Sequence, residues 1–346
     1  MLSLAALLTL LVAQDSLPKG PADPKVELRA ESTPQDSEDR ALRTAARGLA
    51  YLEKEGVAWT KKNNCSSCHH VPMMLWAQRE GRQRGLTIHE EARESAVAFA
   101  LKAPFTGFYG PVTPEKLAQM PGPSLEIIYL ALGLDTADHA GDAAQKLGEF
   151  KTHLLDKQDT TGAWVYDRKE KGKLLPPIED SDTVVTMLSM LALSRGNPSP
   201  LGQPAASPSL NRALAWLRES AVEESDFSTA LGVVTFRTFG MADRVKQLTS
   251  KLLSDQREDG GWAPVNGRPS DALATGQALY ALADAGIDAK VDAIERGRGY
   301  LVRTQQADGS WHVLSRVPKN EGKPEVPGYF GSAWAVLGLV HHQVKE

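Results

Sequence analysis

From about residue 40 onward, apolar residues recur at intervals of three and four, the period of a helix that buries one face. Two kinds of segment alternate. Residues 40–55, 89–103, 140–157, 208–222, 241–255 and 290–305 set apolar positions against a charged face. Between them, residues 68–80, 123–134, 181–195, 226–239, 270–285 and 329–343 are apolar nearly all round, as in Thr183-Val-Val-Thr-Met-Leu-Ser-Met-Leu-Ala-Leu193. A helix that is apolar on every side must be walled on both sides. Strand signals are few. The pattern predicts six helical hairpins, each with an outer amphipathic and an inner apolar helix. Closed on themselves, they make an all-α fold with one ring of helices inside another, an (α/α)6 toroid.

A sequence repeat marks the hairpin junctions. Leu154, Gln158, Gly162 and Trp164 share their spacing with Leu252, Gln256, Gly260 and Trp262, and with Leu301, Gln305, Gly309 and Trp311. A weaker copy keeps Leu49 and Trp59 but has Glu53 at the Gln position. These tryptophans are separated by one or two units of roughly 50 residues, a period typical of repeat architectures. Leu and Gln, four apart, lie on one face of the closing helix, Gly suits a turn that needs positive φ, and Trp packs back over the turn. Such residues are structural devices.

The Gln-to-Gly-Trp repeats resemble the QW motifs of squalene and oxidosqualene cyclases. The stretch Ser332-Ala-Trp-Ala-Val-Leu-Gly-Leu339 is similar to inner helices of the same superfamily, which includes the protein prenyltransferases. The resemblance covers residues 40–346 and implies a single toroid domain, where squalene cyclases carry two. It implies an apolar, isoprenoid or lipid-like ligand in the central cavity. Squalene-hopene cyclases protonate an alkene with the middle Asp of an Asp-x-Asp-Asp-Thr motif, and the matching stretch here is Glu179-Asp180-Ser181-Asp182-Thr183. Aligned on Asp182-Thr183, the donor position falls on Ser181, so acid chemistry would pass to Asp180 or Asp182. The zinc site of the prenyltransferases, with its Asp-x-Cys, does not carry over, because Asn63-Asn64 precede Cys65.

Composition changes this picture mainly at the N-terminus. Residues 2–13 are an uncharged apolar run, too short to span a bilayer, and residues 1–13 read as a signal peptide; a membrane anchor is the other reading. Residues 14–39, rich in Pro, Asp, Glu and Ser, read as a disordered tether. The protein is therefore expected to be exported, periplasmic or secreted. With 42% apolar residues the chain can bury a large core, and its formal charge of -4 is spread along the whole length. No basic stripe exists to neutralise phosphates, which argues against nucleic acid as a partner.

Candidate chemistry gathers at the starts of the inner helices, where Cys65, Cys68, His69, His70, Glu126, Asp180, Asp182, Asp226, Asp271, Thr275, Tyr329 and Ser332 fall. Asp, Ser and Thr at helix starts are commonly N-caps. Facing an apolar cavity, Asp180, Asp182 and Asp271 would instead be candidate acids, because burial raises a carboxyl pKa. Cys65-Ser-Ser-Cys68-His69 has the form of a c-type haem attachment sequence: the two thiols add to the porphyrin vinyls and His69 ligates iron. The same residues could hold zinc with His70, or the cysteines could form a disulfide. Met73 and Met74 are too close in sequence to reach the far side of such an iron.

Three functions fit these features. The first is an exported toroid that carries haem c or a metal at the cavity mouth, binds an apolar ligand and exchanges electrons, with a protein redox partner. The second is a cyclase-like acid catalyst without haem. The third is a non-catalytic binding scaffold that presents the Pro- and Gly-rich segments 104–123, 168–179 and 196–208.

Overall fold

At each junction the same few side chains tie one hairpin to the next. Gln158, Gln256 and Gln305 follow the ends of three outer helices, and each Nε2 donates to a glycine carbonyl four residues on: Gly162 at 2.8 Å, Gly260 at 2.9 Å and Gly309 at 3.0 Å. Each also donates to the next outer helix, at Ser209 (2.9 Å), Ala293 (2.7 Å) and Thr44 (2.9 Å). The Oε1 atoms accept from Arg212, Arg296 and Arg47 of that same helix. The glycines have φ of +99°, +85° and +92°, and a Cβ on any of them would also meet the carbonyl of the neighbouring Arg. The indole nitrogens of Trp164, Trp262 and Trp311 then donate back to Leu154, Leu252 and Leu301.

The chain, a computed structural model, is described over residues 34–63, 69–102, 106–107, 110–111, 113–120, 122–136, 140–165, 181–195, 207–220, 222, 225–288, 291–314 and 327–341. The outer helices are α1 (Pro34–Asn63), α3 (Glu90–Ala100), α6 (Ala140–Asp156), α8 (Pro208–Glu219), α10 (Ala242–Asp255) and α12 (Asp292–Thr304). The inner helices are α2 (Val71–Gln83), α5 (Leu125–Gly133), α7 (Asp182–Ser194), α9 (Asp226–Thr238), α11 (Ala272–Asp284) and α13 (Pro327–Val340). Each inner helix packs against the next and α13 packs against α2, which closes the inner ring. Outside it, α1 packs against both α12 and α13. The expected all-α toroid of six hairpins is thus the observed fold.

Local chemistry explains the departures from expectation. Helix α1 begins at Pro34, inside the segment expected as a tether, because Pro is tolerated in a first helical turn and Ala41 and Ala45 are buried in the core. The same helix runs through Trp59 to Asn63, since the weak copy of the repeat has Val57 where the other copies place their turn glycine, and Gly56 stays helical. A short helix α4 (Pro114–Gln119) and a two-strand pair, β1 (Thr106–Gly107) with β2 (Gly110–Pro111), stand before α5. Neither was expected in that Pro- and Gly-rich segment.

Candidate functional site

Inside the inner ring lies a cavity of about 470 Å³. Part of its wall is aromatic and aliphatic, with Trp76 of α2, Leu132 of α5, Leu191 of α7, Phe227 of α9 and Trp334 of α13, and the rest is polar or charged, including Gln83, Asp135, Ser194 and Thr238. The rings interlock. Trp334 meets Trp76 at 5.4 Å, Phe227 at 5.8 Å and Tyr280 at 5.8 Å, all edge to face. Inner helices walled on both sides supply these residues, which is why their sequences carry no polar face.

The cavity's charged rim comes from the C-terminal turns of the inner helices, through Arg79, Glu80, Arg195 and Asp284. Arg79 donates to the Leu132 carbonyl at 2.8 Å and to Glu80 Oε1 at 3.2 Å. Trp76 Nε1 donates to the same oxygen at 3.3 Å. His341, just past the end of α13, lies with Nδ1 3.0 Å from Glu80 Oε2 and Nε2 3.5 Å from Asp284 Oδ1, and its ring stacks on Tyr280 at 3.8 Å. Arg237 reaches Asp284 Oδ1 at 3.2 Å.

Burial alone would raise the Glu80 pKa, but the His341 hydrogen bond and the Arg79 charge hold it at about 2. Burial likewise opposes a charge on His341, and the two carboxylates override it to place that pKa at about 9. At neutral pH the rim therefore holds an imidazolium between two carboxylates. Burial, then the nearby Arg79, lowers Arg195 to about 10, which still leaves it charged. No sequence argument singled out these rim residues. The available signal was a set of charges at the far ends of helices otherwise too apolar to face water.

The helix starts, where candidate chemistry was expected, belong to the opposite end. Asp271 is the N-cap of α11, and its Oδ1 accepts from the Ala274 N–H at 2.8 Å. Asp182 occupies the first turn of α7, behind the N-cap Ser181. Neither is in the cavity wall. Asp180, Cys65 and Cys68 lie outside the described residues. Thr275 and Ser332 hold the backbone N–H groups of Trp262 and Trp311 at 3.0 and 2.9 Å, so they serve the repeat.

His69 and His70 stand together at this end, with ring centroids 4.6 Å apart. The His70 ring is sandwiched between Trp59 at 4.0 Å and Tyr329 at 4.2 Å, while His69 meets the edge of Phe330 at 6.3 Å. Burial lowers both pKa values, to about 4 for His69 and about 2 for His70, so both rings are neutral. Among the described residues no cluster of three or more His, Cys, Asp or Glu could hold a metal ion. Nor is any described helix long and apolar enough to cross a membrane.

No protein-family model matches the sequence, and no curated protein matches it. Among solved structures, the type II terpene cyclase MstE from Scytonema in its apo form is similar at a TM-score of 0.53 and 16% identity, over 87% of this chain and 98% of the cyclase. A variant of that cyclase in complex with its substrate, geranylgeranyl dihydroxybenzoate, gives a TM-score of 0.57 at 16% identity, over 88% and 98% of the two chains. A complex with the product, merosterolic acid A, gives the same values, 0.57 and 16% over 88% and 98%. At this identity the likeness is one of fold: the chain is an all-α toroid built like a type II terpene cyclase.

Proposed function

We propose that this chain is a terpenoid-cyclase-like toroid that binds an apolar, isoprenoid-like ligand in its central cavity. One observation carries the reading: a cavity of about 470 Å³ lined by Trp76, Phe227, Trp334 and leucines on one part of its wall and by charged residues such as Arg79 and Arg195 on another. Ligand sites are commonly of this size, mostly apolar and with few polar groups. The Scytonema cyclase of the same fold takes a geranylgeranyl compound, which supports an isoprenoid as the ligand class. Acid-catalysed cyclisation would need a protonated carboxyl facing the ligand. Glu80, held at about 2, is ionised, and the sequence candidates Asp182 and Asp271 do not line the cavity, whereas Asp135 and Asp284 do; the reading is therefore kept to binding. The test is titration with farnesyl and geranylgeranyl probes, followed by native mass spectrometry. Ala230 is buried in the cavity wall, and Ala230→Trp should fill the space and abolish binding. Affinity unchanged in that variant, or no binding of either probe to the wild type, would overturn the reading.

A second reading retains Cys65-x-x-Cys68-His69 as a c-type haem site in an exported protein that works with a redox partner. The position of His69 favours it: the residue next to Cys68 stands at the start of an inner helix, its ring against His70 and Phe330. Two thiols and an imidazole are the donor set that such a haem uses. Cys65 and Cys68 would hold the porphyrin and His69 the iron, and the group would supply electron transfer. Zinc held by the same residues and His70 is the alternative. A pyridine haemochrome assay and intact mass, on protein matured in a periplasm competent for haem attachment, decide between them. A mass equal to the bare chain less the hydrogens of a disulfide ends the haem reading, and copurifying zinc replaces it with the metal one.

A further inference from the structure

Two buried polar groups in the cavity wall lack hydrogen-bond partners among the described residues. Gln277, 2% exposed, has neither a donor for Oε1 nor an acceptor for Nε2. Trp334, also 2% exposed, has no acceptor for Nε1. Both line the cavity. The indole nitrogens of Trp76, Trp164, Trp262 and Trp311 all find acceptors, whereas those of Trp59 and Trp334 find none among the described residues, and of these two only Trp334 lines the cavity.

The two groups share one layer of the barrel. Residue 276 is a glycine against which the Trp334 backbone packs so tightly that a Cβ would lie 2.3 Å from the Trp334 carbonyl oxygen. Gln277 is the next residue. Neither side chain is free to turn away: Trp334 is wedged edge to face among Trp76, Phe227 and Tyr280, and Gln277 is enclosed by the inner ring. Buried amide and indole groups left unpaired are costly, which makes them informative about what enters.

We infer that Gln277 and Trp334 form a polar anchor for a neutral hydroxyl group, and that the ligand is a hydroxylated isoprenoid or polycyclic alcohol rather than a plain hydrocarbon. This rests on the apolar-ligand reading of the same cavity. A hydroxyl donates to Gln277 Oε1 and accepts from Gln277 Nε2 or Trp334 Nε1, which matches the set. A ketone or ether offers no donor to Oε1. A carboxylate would set its charge against that oxygen.

The experiment measures affinities of geranylgeraniol, its methyl ether and the matching hydrocarbon without oxygen, by quenching of tryptophan fluorescence, for the wild type, Gln277→Leu and Trp334→Phe. The alcohol should bind on the order of 10- to 100-fold tighter than the hydrocarbon in the wild type, with the ether close to the hydrocarbon. Gln277→Leu should erase most of that preference and raise the melting temperature of the ligand-free protein, and Trp334→Phe should reduce the preference in part. Equal binding of alcohol and hydrocarbon overturns the anchor while leaving the apolar cavity reading intact. So does a preference that survives in Gln277→Leu. Failure of all three probes to bind the wild type overturns both readings together.

Discussion

The indole of Trp262 is held at three points. Its Nε1 donates to Leu252 at 2.7 Å, its backbone N–H donates to Thr275 Oγ1 at 3.0 Å, and its ring edge fills the space left by Gly297, where a Cβ would lie 2.8 Å from the ring. Trp311 repeats the arrangement with Gly48, also at 2.8 Å. Trp262→Ala should therefore cost about 3–5 kcal/mol in urea unfolding, as for other buried aromatics. Gly297→Ala should cost about 1–3 kcal/mol by overpacking, and less in a Trp262→Ala background, because the two positions share one space. Independent, additive effects would show that the ring does not seat on that glycine. At this scale the sequence was half legible. The tryptophans announce themselves by spacing, whereas Gly48 and Gly297 sit inside outer helices, where a glycine reads only as a weak helix former.

Between elements, the glutamine clamp joins successive hairpins at three junctions, and at Gln305 it closes the outer ring onto α1 through Thr44. The first unit keeps the clamp with its polarity reversed. Glu53 Oε1 accepts from the His89 N–H at 2.9 Å, at the start of α3, and from Gln78 Nε2 at 2.8 Å. An acid thus serves where the next helix offers a free N–H, and an amide where it offers a carbonyl. Gln256→Glu should accordingly place a carboxylate against the Gly260 and Ala293 carbonyls and destabilise by roughly 1–3 kcal/mol near neutral pH. The two carbonyls push its folded-state pKa up while Arg296, which donates to the same side chain, pulls it down; where the lost donor dominates, the loss should shrink as pH falls and the new carboxyl regains a proton to donate. A loss independent of pH in urea titrations would mean that the donor role of Gln256 is not what matters. Helix order and most helix boundaries could be read from periodicity, because an inner ring walled on both sides leaves an unmistakable apolar signature. The continuation of α1 could not, since it depends on the absence of one turn-forming glycine.

At the scale of the whole ring, helix starts and helix ends divide the labour, and this is why the site was less legible than the fold. Asp, Ser and Thr concentrate at helix starts, where they serve as caps, so sequence reasoning was drawn to Asp182 and Asp271. The charges that surround the cavity come instead from helix ends, and only closure of the ring brings Arg79, Glu80, Asp284 and His341 together. That closure is tied to protonation. His341 joins the end of α13 to Glu80 of α2 and Asp284 of α11, and its pKa rises from an ordinary 6.5 to about 9. A base whose folded pKa is raised contributes stability that is fully present below its unfolded pKa and is lost as pH rises through the folded value. Stability should therefore fall between pH 6.5 and about 9. On the acid side, Glu80 is depressed from 4.5 to about 2, so its contribution is present above 4.5 and is lost as pH falls towards 2. His153, whose Nε2 accepts from the Ser124 N–H at 3.2 Å, is lowered by burial, and by Lys157, to about 4. Protonating it should destabilise the fold from pH 6.5 downward. The two limbs meet near pH 6.5, where urea unfolding should find maximum stability. His341→Gln keeps the ring closed sterically but cannot titrate, so it should flatten the alkaline limb and reduce the Glu80 part of the acid limb, while the His153 part stays in place. An alkaline limb of undiminished slope in that variant would mean that some group other than the histidine between α2 and α11 governs the closure of the inner ring.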